Sequence, residues 1–241
     1  MQCPACTSNA VTVHDSGSIA PFVAHRTGVT ETRTCTCSRC GLRFSAHRWT
    51  MQQAIALYAG YRDADYDRER QSFEPGYSSG HLNAPRDYLP DVEAWIGEYL
   101  QPATVLDIGG NDGRNTPFTA TADVTVWEIG DPEPHGTYDL IVLAHVLEHA
   151  PWPRDLLAVA RRHVAPAGLI YAEVPIEPLM DTWHEHISRF DETSLAATLH
   201  PCTLLGLRAR ATSLGPVLQA IATPEATWHA PTKQSAGVAD A

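Results

Sequence analysis

The sequence lacks a long hydrophobic run. Its 241 residues are 44% hydrophobic and 19% charged, yet nowhere do about 18 apolar residues follow one another, which is the length that a membrane-spanning helix needs. Residues Met1 to Pro4 are not a basic stretch leading into an apolar one, so no secretory signal is visible. We therefore expect a globular, cytoplasmic protein that does not enter a membrane.

Positive charge is also scarce. Lys and Arg together number 17 against 28 Asp and Glu, which gives a net charge of -11. An acidic chain is repelled by phosphate backbones unless its basic residues gather on one face. The nearest approach to such a face is Arg161 to His163 with Arg68 and Arg70, which is too sparse. Nucleic acid is therefore a disfavoured partner.

Cysteine, by contrast, is concentrated near the N-terminus, where five of the six cysteines lie within the first forty residues. Two C-x-x-C turns occur there, and in a cytosolic protein this spacing favours a metal over disulfides. Four thiolates from two such turns make the closed tetrahedral set of a structural Zn²⁺. Cys35 could replace Cys37 in that set, and an iron–sulfur cluster is the lesser alternative. The predicted zinc ligands are Cys3, Cys6, Cys37 and Cys40.

The chain divides into four parts on composition and pattern. Residues 1–48 form the cysteine module, 49–85 a helical linker that acts as a lid, and 224–241 a disordered tail. Between them, residues 86–223 alternate short apolar runs with helical patterns, which predicts an α/β fold with a parallel sheet covered on both faces. The predicted strands are 104–108, 124–128, 140–144, 168–174, 203–212 and 216–223, and the predicted helices are 51–58, 85–100, 153–163 and 192–199.

A glycine loop directly follows the first buried strand. Asp107 opens it, and Glu128 ends the next strand, where an acid can accept hydrogen bonds from ribose hydroxyls. Asp107 would repel a pyrophosphate but suits the cationic sulfonium and amino groups of S-adenosylmethionine. In the middle of the loop Asn111 tolerates the left-handed conformation better than other side chains do. The predicted cofactor-binding residues of this loop are Asp107, Gly109, Gly110, Asn111 and Gly113, with Glu128 opposite.

These segments resemble the class I S-adenosylmethionine-dependent methyltransferases. The stretch 105–113 is similar to their motif I, and 138–149 to their fourth-strand motif. The resemblance covers about residues 86–222 and implies a Rossmann-like sheet of seven strands, with the cofactor across the carboxyl ends of its first strands. One departure is visible. Residues 129–137 are too few for the usual helix and third strand, so that strand is lost or reduced to a linker, and Asp131 or Glu133 could replace the acid that follows it.

The segment His145-Val146-Leu147-Glu148-His149 also matches the H-x-x-E-H pattern of a zinc peptidase family. That chemistry needs a helix, whereas here the first histidine ends a strand and Pro151 and Pro153 stop a long helix. We therefore predict that Ala144 and His145 line the cofactor pocket and that Glu148 and His149 hold the loop.

A second histidine motif, His184-Glu185-His186, follows the fifth strand, where class I enzymes build the acceptor pocket. A histidine flanked by a carboxylate can act as a general base; the alternative is a histidine satisfied by a backbone carbonyl. With the cysteine module, the chain resembles nucleotide-sugar C-methyltransferases and related short bacterial zinc-module methyltransferases. That resemblance implies a small-molecule acceptor, with His186 as base and Glu185 orienting it or stabilising its charged form, and with Tyr66 and Tyr77 touching the ligands.

Two other functions remain open at this point. The chain could be an rRNA base methyltransferase whose zinc module reads RNA, although its acidity opposes this. It could also be a zinc-bearing binding protein that has lost catalysis, although Asp107, Gly109, Gly113 and Glu128 are all present.

Overall fold

The computed structural model describes residues 1–61, 63–81, 86–178 and 182–224, which form two β-sheets and six α-helices. The predicted tail therefore lies outside the described residues apart from Pro224. The strands are β1 Val11–Ile19, β2 Glu31–Cys37, β3 Arg43–Ser45, β4 Thr104–Ile108, β5 Asp123–Trp127, β6 Tyr138–Ala144, β7 Val164–Pro175, β8 Thr182–Trp183, β9 Ser188–Arg189, β10 Thr203–Thr212 and β11 Gly215–Thr223. The helices are α1 Pro21–Thr27, α2 Met51–Tyr58, α3 Ala64–Gln71, α4 Leu89–Gly97, α5 Pro153–His163 and α6 Glu192–Leu199.

The larger sheet has the strand order β10-β11-β7-β6-β4-β5. Strands β4 to β7 are parallel, and β11 runs antiparallel to both β7 and β10. This is the predicted doubly wound α/β sheet, with one correction to the seven strands that the resemblance implied. Residues 129–137, all of which are described, contain only an isolated bridge between Ile129 and Asp131. The third strand is therefore lost, and β5 is the edge of a six-stranded sheet.

Helices cover both faces of this sheet. Leu157 of α5 and Leu195 of α6 pack in one buried cluster with Ile141. On the other face, Val92 and Ile96 of α4 pack with residues of β4, β6 and β7. Because both faces are buried, the parallel strands are nearly continuous apolar runs. None of the helices in the described ranges is long and apolar enough to cross a membrane.

The smaller sheet has the order β8-β1-β2-β3-β9 and is built from two distant parts of the chain. β8 lies parallel to β1, with Thr182 opposite Ser18, and β9 lies antiparallel to β3, with Ser188 opposite Phe44. Both edges of the N-terminal sheet are thus filled by residues that follow β7. The intervening residues 184–187, which include the His-Glu-His motif, are therefore held at both ends by the cysteine module.

Helices α1 to α3 form a third packed group over the small sheet. α2 begins at the predicted residue because the Thr50 hydroxyl accepts the N–H of Gln53 in a capping box. Tyr66 of α3 is only 2% exposed and packs edge-on against Phe22. The expectation that Tyr66 touches the ligands is therefore wrong, because its ring belongs to this core.

Candidate active site

A cavity of about 860 Å³ lies at the carboxyl ends of the parallel strands. Its walls are the glycine loop after β4, the ends of β6 and β7, the helix α2 and the loop that carries the His-Glu-His motif. The predicted cofactor residues that line it are Asp107, Gly109, Gly110, Asn111, Glu128, Ala144 and His145, and the predicted catalytic residues Glu185 and His186 line it as well. Tyr77, a predicted ligand contact, is also in the wall.

The glycine loop needs glycine for steric reasons. Gly109 and Gly113 have φ of +76° and +73°, and a Cβ at Gly113 would lie 2.9 Å from Val126. Gly113 thus turns the chain without lining the cavity. Asn111 has φ +57°, which confirms the left-handed conformation predicted for it. The backbone of this loop is consequently free to approach a ligand closely.

The two predicted acids reach this loop from different sides. Asp107 is buried, and its carboxylate accepts a hydrogen bond of 2.5 Å from the Thr116 hydroxyl. Burial raises the pKa of Asp107 to about 6, although the hydrogen bond from Thr116 opposes the rise. The exposed Glu128 accepts a 2.6 Å hydrogen bond from the N–H of Asn111. The two carboxylates therefore bracket the loop.

His145 directly follows β6 and lies in the left-handed region, with φ +56°. This conformation is strained for a histidine and is typical of functional sites. Its Nε2 lies 2.9 Å from Glu173, which is 1% exposed, and its Nδ1 lies 3.4 Å from Glu148. Burial disfavours the charge of Glu173, but the hydrogen bond and charge of His145 outweigh it and hold the pKa of Glu173 at about 2. Tyr88, Tyr171, Gln219 and Arg86 also donate to Glu173.

The His-Glu-His motif meets a carboxylate that the sequence did not identify. His186 Nδ1 lies 2.7 Å from Glu177, whereas Glu185 accepts hydrogen bonds from the guanidinium of Arg70 at 3.1 and 3.2 Å. Glu177 therefore orients the ring, which corrects the expectation that Glu185 does so. Glu185 acts on His186 through its charge. Burial lowers the pKa of His186, but the bond to Glu177 and the charges of Glu148, Glu177 and Glu185 dominate and raise it to about 9.

His149 completes a pair of imidazoles. Its ring centre is 4.5 Å from that of His186, and its Nδ1 is 2.6 Å from the Tyr58 hydroxyl. Burial, followed by the neighbouring His186, lowers the pKa of His149 to about 4. Glu148 lies beside the pair and is 1% exposed. The main chain of Glu148 does hold the loop, since its carbonyl accepts the N–H groups of Ile187 and Ser188, while its side chain contributes to the cavity wall.

Arg48 joins the two histidine loops to the cysteine module. Its guanidinium donates to the carbonyls of Pro151, Ala150 and Ile187 at 2.8, 2.9 and 2.6 Å, and to the Ser188 hydroxyl at 2.8 Å. His149 and His186 each directly adjoin a residue that Arg48 binds. Together with the two hydrogen bonds that the Glu148 carbonyl accepts from Ile187 and Ser188, this side chain therefore helps to fix the relative position of the two imidazoles.

The cysteine module brings together the four predicted ligands. Cys3 Sγ lies 3.6 Å from Cys40 Sγ, and Cys6 Sγ lies 3.5 Å from Cys37 Sγ. All four sulfurs lie within 4.8 Å of one another. The thiol of Cys35 instead contacts the Met1 thioether at 3.3 Å, so Cys37 rather than Cys35 belongs to the group. Gly41, which follows the ligand Cys40, has φ +80°, and a Cβ at this position would lie 2.7 Å from the side chain of Asp191.

Sequence reasoning missed Tyr58, Glu177 and Arg70, none of which lies in a recognisable motif. Glu177 closely follows the predicted strand 168–174, and that position was its only signal. Glu148 and His149 did stand in a noticed motif, but the pattern did not show that their side chains line the cavity.

Comparisons with known proteins agree with this geometry. A family model for a methyltransferase domain matches residues 81–201, just over half of the chain. No curated protein matches the sequence. Among solved structures, the 1,6-didemethyltoxoflavin-N1-methyltransferase of Burkholderia thailandensis, with 1,6-didemethyltoxoflavin and S-adenosylhomocysteine bound, has a TM-score of 0.52 at 16% identity, and the match covers 76% of this chain and 95% of that one.

Two more distant structures are also similar. The N-methyltransferase NodS of Bradyrhizobium japonicum has a TM-score of 0.42 at 17% identity, covering 68% of this chain and 99% of that one. TehB of Haemophilus influenzae has a TM-score of 0.45 at 14% identity, covering 66% of this chain and 67% of that one. The family match, the six-stranded sheet and the glycine loop with its acids together show that this chain belongs to the methyltransferase-domain family and is a class I S-adenosylmethionine-dependent methyltransferase.

Proposed function

We propose that this enzyme methylates a small molecule, a sugar or a natural-product intermediate, inside the cavity described above. The observation that carries the proposal is the continuity of the cavity, which joins the glycine loop to the His149–His186 pair. Its volume of about 860 Å³ is that of a small-molecule site. The net charge of -11 opposes a nucleic-acid acceptor. The similar Burkholderia enzyme also has a small molecule bound.

In this proposal the Glu128 carboxylate accepts hydrogen bonds from the ribose hydroxyls of S-adenosylmethionine. Asp107 supplies negative charge for the cationic part of the cofactor, and the loop from Gly109 to Gly113 offers its backbone. Ala144 and His145 then line the pocket from the end of β6. The methyl group would face the remaining part of the cavity, between α2 and the two imidazoles.

His186 is our candidate for the group that takes the acceptor's proton. Glu177 fixes the ring through Nδ1, which leaves Nε2 free of that bond. Glu185, held by Arg70, adds negative charge that stabilises the imidazolium. Because the pKa of His186 is about 9, the neutral ring that can take a proton becomes the major form only as pH rises through 9. The acceptor atom attacks the methyl carbon, the bond from that carbon to sulfur breaks, and neutral S-adenosylhomocysteine leaves.

The test measures release of S-adenosylhomocysteine with a panel of free and nucleotide-linked sugars. With an acceptor identified, His186→Asn should lower turnover about 10²- to 10⁴-fold, because that is what a general base contributes, and should leave cofactor affinity unchanged. His14→Asn is the matched control, because His14 is exposed on β1. Turnover near wild type in His186→Asn would return this histidine to a structural role. If no compound of the panel were methylated and RNA were, the small-molecule assignment would be overturned.

We also infer that the four clustered cysteines hold one structural zinc ion. Tetrahedral zinc with bonds of about 2.3 Å has sulfurs about 3.8 Å apart, close to the 3.5 and 3.6 Å separations seen here. Four thiolates leave no open position, so the ion would link β2 to the two turns without taking part in methyl transfer.

A further inference from the structure

We propose a second metal site, in which Glu148, His149 and His186 bind a divalent transition-metal ion that the acceptor reaches through an oxygen atom. One ligand atom from each residue, a carboxylate oxygen and two imidazole nitrogens, lies within 4.8 Å of the others. Ligands about 2.1 Å from a common ion are about 3–4 Å apart. Small side-chain rotations would therefore close the three groups around an ion.

The side chain of Glu148 points to a missing cation. It is 1% exposed, and neither of its oxygens has a hydrogen-bond partner among the described residues. Its nearest basic groups are His145 Nδ1 at 3.4 Å and His149 Nε2 at 3.9 Å. An ionised carboxylate that is buried without hydrogen bonds destabilises the fold more than a buried neutral polar group does. A metal ion would satisfy both oxygens directly.

Burial disfavours the charge of Glu148, but the neighbouring imidazoles of His145, His149 and His186 outweigh it and lower the pKa of Glu148 to about 2, so the carboxylate is ionised. Arg70 is bound to Glu185 and Glu74, and Arg189 lies 3.5 Å from Glu177. Glu148 has no comparable arginine in the part of the chain that the structure describes. Because Arg70 and Arg189 pair with Glu185 and Glu177, Glu148 is the carboxylate of this wall whose charge a bound cation would neutralise.

The two histidines are already arranged as ligands. His186 Nδ1 bonds to Glu177 at 2.7 Å, and His149 Nδ1 bonds to the Tyr58 hydroxyl at 2.6 Å. Metal-binding histidines almost always use one ring nitrogen in this way, because the bond fixes the tautomer and presents the other nitrogen to the ion. Nε2 is therefore the available ligand atom on both rings.

Two imidazoles and one carboxylate leave coordination positions open, which is typical of catalytic rather than structural ions. All three residues line the cavity, so an acceptor hydroxyl could occupy an open position. The ion would lower the pKa of that hydroxyl, whose proton passes to solvent. The resulting oxygen anion attacks the methyl carbon, the sulfur–carbon bond breaks and the new oxygen–carbon bond forms. With the ion bound, His186 is a metal ligand and no longer takes the acceptor's proton itself. The ion then activates the acceptor in place of the general base.

The binding test does not need the acceptor. Protein whose cysteine cluster has been filled with zinc is titrated with Mn²⁺ at pH 8, and free Mn²⁺ is followed by electron paramagnetic resonance. Mn²⁺ is the probe because it prefers nitrogen and oxygen ligands to thiolates. We expect one Mn²⁺ per chain, and affinity at least about tenfold lower in Glu148→Gln and His149→Gln, since even outer-shell partners have effects of that size. Glu133→Gln, at an exposed ion pair with Arg162, is the matched control.

A folding defect can be separated from a loss of binding. Glu148→Gln keeps the shape of the side chain and loses its charge contacts with His145 and His149 at 3.4 and 3.9 Å, so the variant without metal should still unfold in a single cooperative transition. Mn²⁺ should raise the Tm of wild type and not that of the variant. Elemental analysis after loading with Zn²⁺ should find two ions in wild type and one in Glu148→Gln.

The proposal would be overturned if wild type bound neither Mn²⁺ nor a second Zn²⁺. It would also be overturned if wild type and Glu148→Gln bound these ions equally. The catalytic role of the ion rests on the proposed function, and the two can fail separately. Turnover that persists after removal of this ion contradicts the metal inference alone. Metal binding without transfer to any small molecule contradicts the proposed function alone.

Discussion

Asp107 carries its charge in a place where burial opposes it. Because burial raises its pKa to about 6, the carboxyl is ionised at pH 7.5 and protonated at pH 5. Only the ionised form attracts the cationic sulfonium and amino groups of the cofactor. We expect the Kd for S-adenosylmethionine to increase as pH falls from 7.5 to 5. Calorimetry at a series of pH values measures this, and Asp107→Asn should bind weakly throughout with a flatter pH dependence.

The same residue should show opposite effects on binding and stability. Its folded-state pKa lies above that of the unfolded chain, so ionisation of Asp107 destabilises the fold as pH rises through the range from about 4 to about 6. Asp107→Asn removes this cost, and the amide oxygen can still accept from Thr116. We therefore expect a higher Tm at pH 8 in the variant. A lower Tm together with unchanged cofactor affinity would contradict the role of Asp107 in binding.

Glu128 tests the opposite end of the cofactor site. In the proposal its carboxylate makes charge-assisted hydrogen bonds to ribose, worth roughly 1.5–3 kcal/mol. Glu128→Gln should therefore weaken S-adenosylmethionine binding about ten- to a hundredfold. Glu133→Gln provides the control, because that exposed glutamate is bonded to Arg162 away from the cavity. Equal affinities in the two variants would remove Glu128 from the cofactor site.

At the scale of elements, Arg48 connects the cysteine module to both histidine loops through four hydrogen bonds. Lysine has three donors on one nitrogen and does not reach four acceptors in the same geometry. Arg48→Lys should therefore destabilise the protein by about 1–3 kcal/mol, the cost of buried acceptors left unsatisfied. Acceptor turnover should fall with it, because His149 and His186 are no longer fixed.

Two measurements distinguish this effect from general unfolding. Cofactor affinity in Arg48→Lys, measured below its Tm, should remain near wild type, since Arg48 does not contact the glycine loop. Arg161→Lys is the control, because Arg161 is exposed on α5. A variant that keeps full turnover would show that the two loops hold their positions without Arg48.

The elements that the sequence predicts well are those whose ends carry local signals. Helices α2 and α6 begin and end at the predicted residues, and each is preceded by a side chain that caps it, Thr50 and Asp191. The loss of the third strand also follows locally, since residues 129–137 are too short for it. Helix α1 was missed although Pro21 and Gly28 mark its ends.

The elements that the sequence does not predict depend on distant pairing. β8 and β9 have two residues each and pair with strands more than a hundred positions away, so no periodicity reveals them. Helix α3 is polar, and tertiary contacts of Tyr66 and Arg70 hold it in place. The same distinction applies to the site. The glycine loop and the four cysteines have a local spacing and could be predicted, whereas Glu177 and Tyr58 contact the histidines only in the folded chain.

At the scale of the whole molecule, the small sheet makes the cysteine module part of the acceptor site. Residues 184–187 are suspended between β8, which pairs with β1, and β9, which pairs with β3. The proposed zinc would fix the end of β2 and the two cysteine turns, which lie at the same end of this sheet because Val11 pairs with Cys37. Loss of zinc should therefore disturb the position of His186 through the pairing of β8 and β9 with the small sheet. The glycine loop should be affected less, because it belongs to the other sheet.

Cys37→Ser and Cys35→Ser make this a matched comparison, because both cysteines are buried in β2 and only Cys37 belongs to the group of four. Cys37→Ser should lose zinc and several degrees of Tm, since metal binding and folding of such modules are linked. Acceptor turnover should then fall much further than cofactor affinity does, because β8 and β9 lose the sheet that positions His186. Cys35→Ser should keep one zinc ion in the cysteine cluster. If Cys37→Ser lost zinc but turned over at the wild-type rate, the module would be a separate appendage, and the strand pairing would be too weak to position the imidazole.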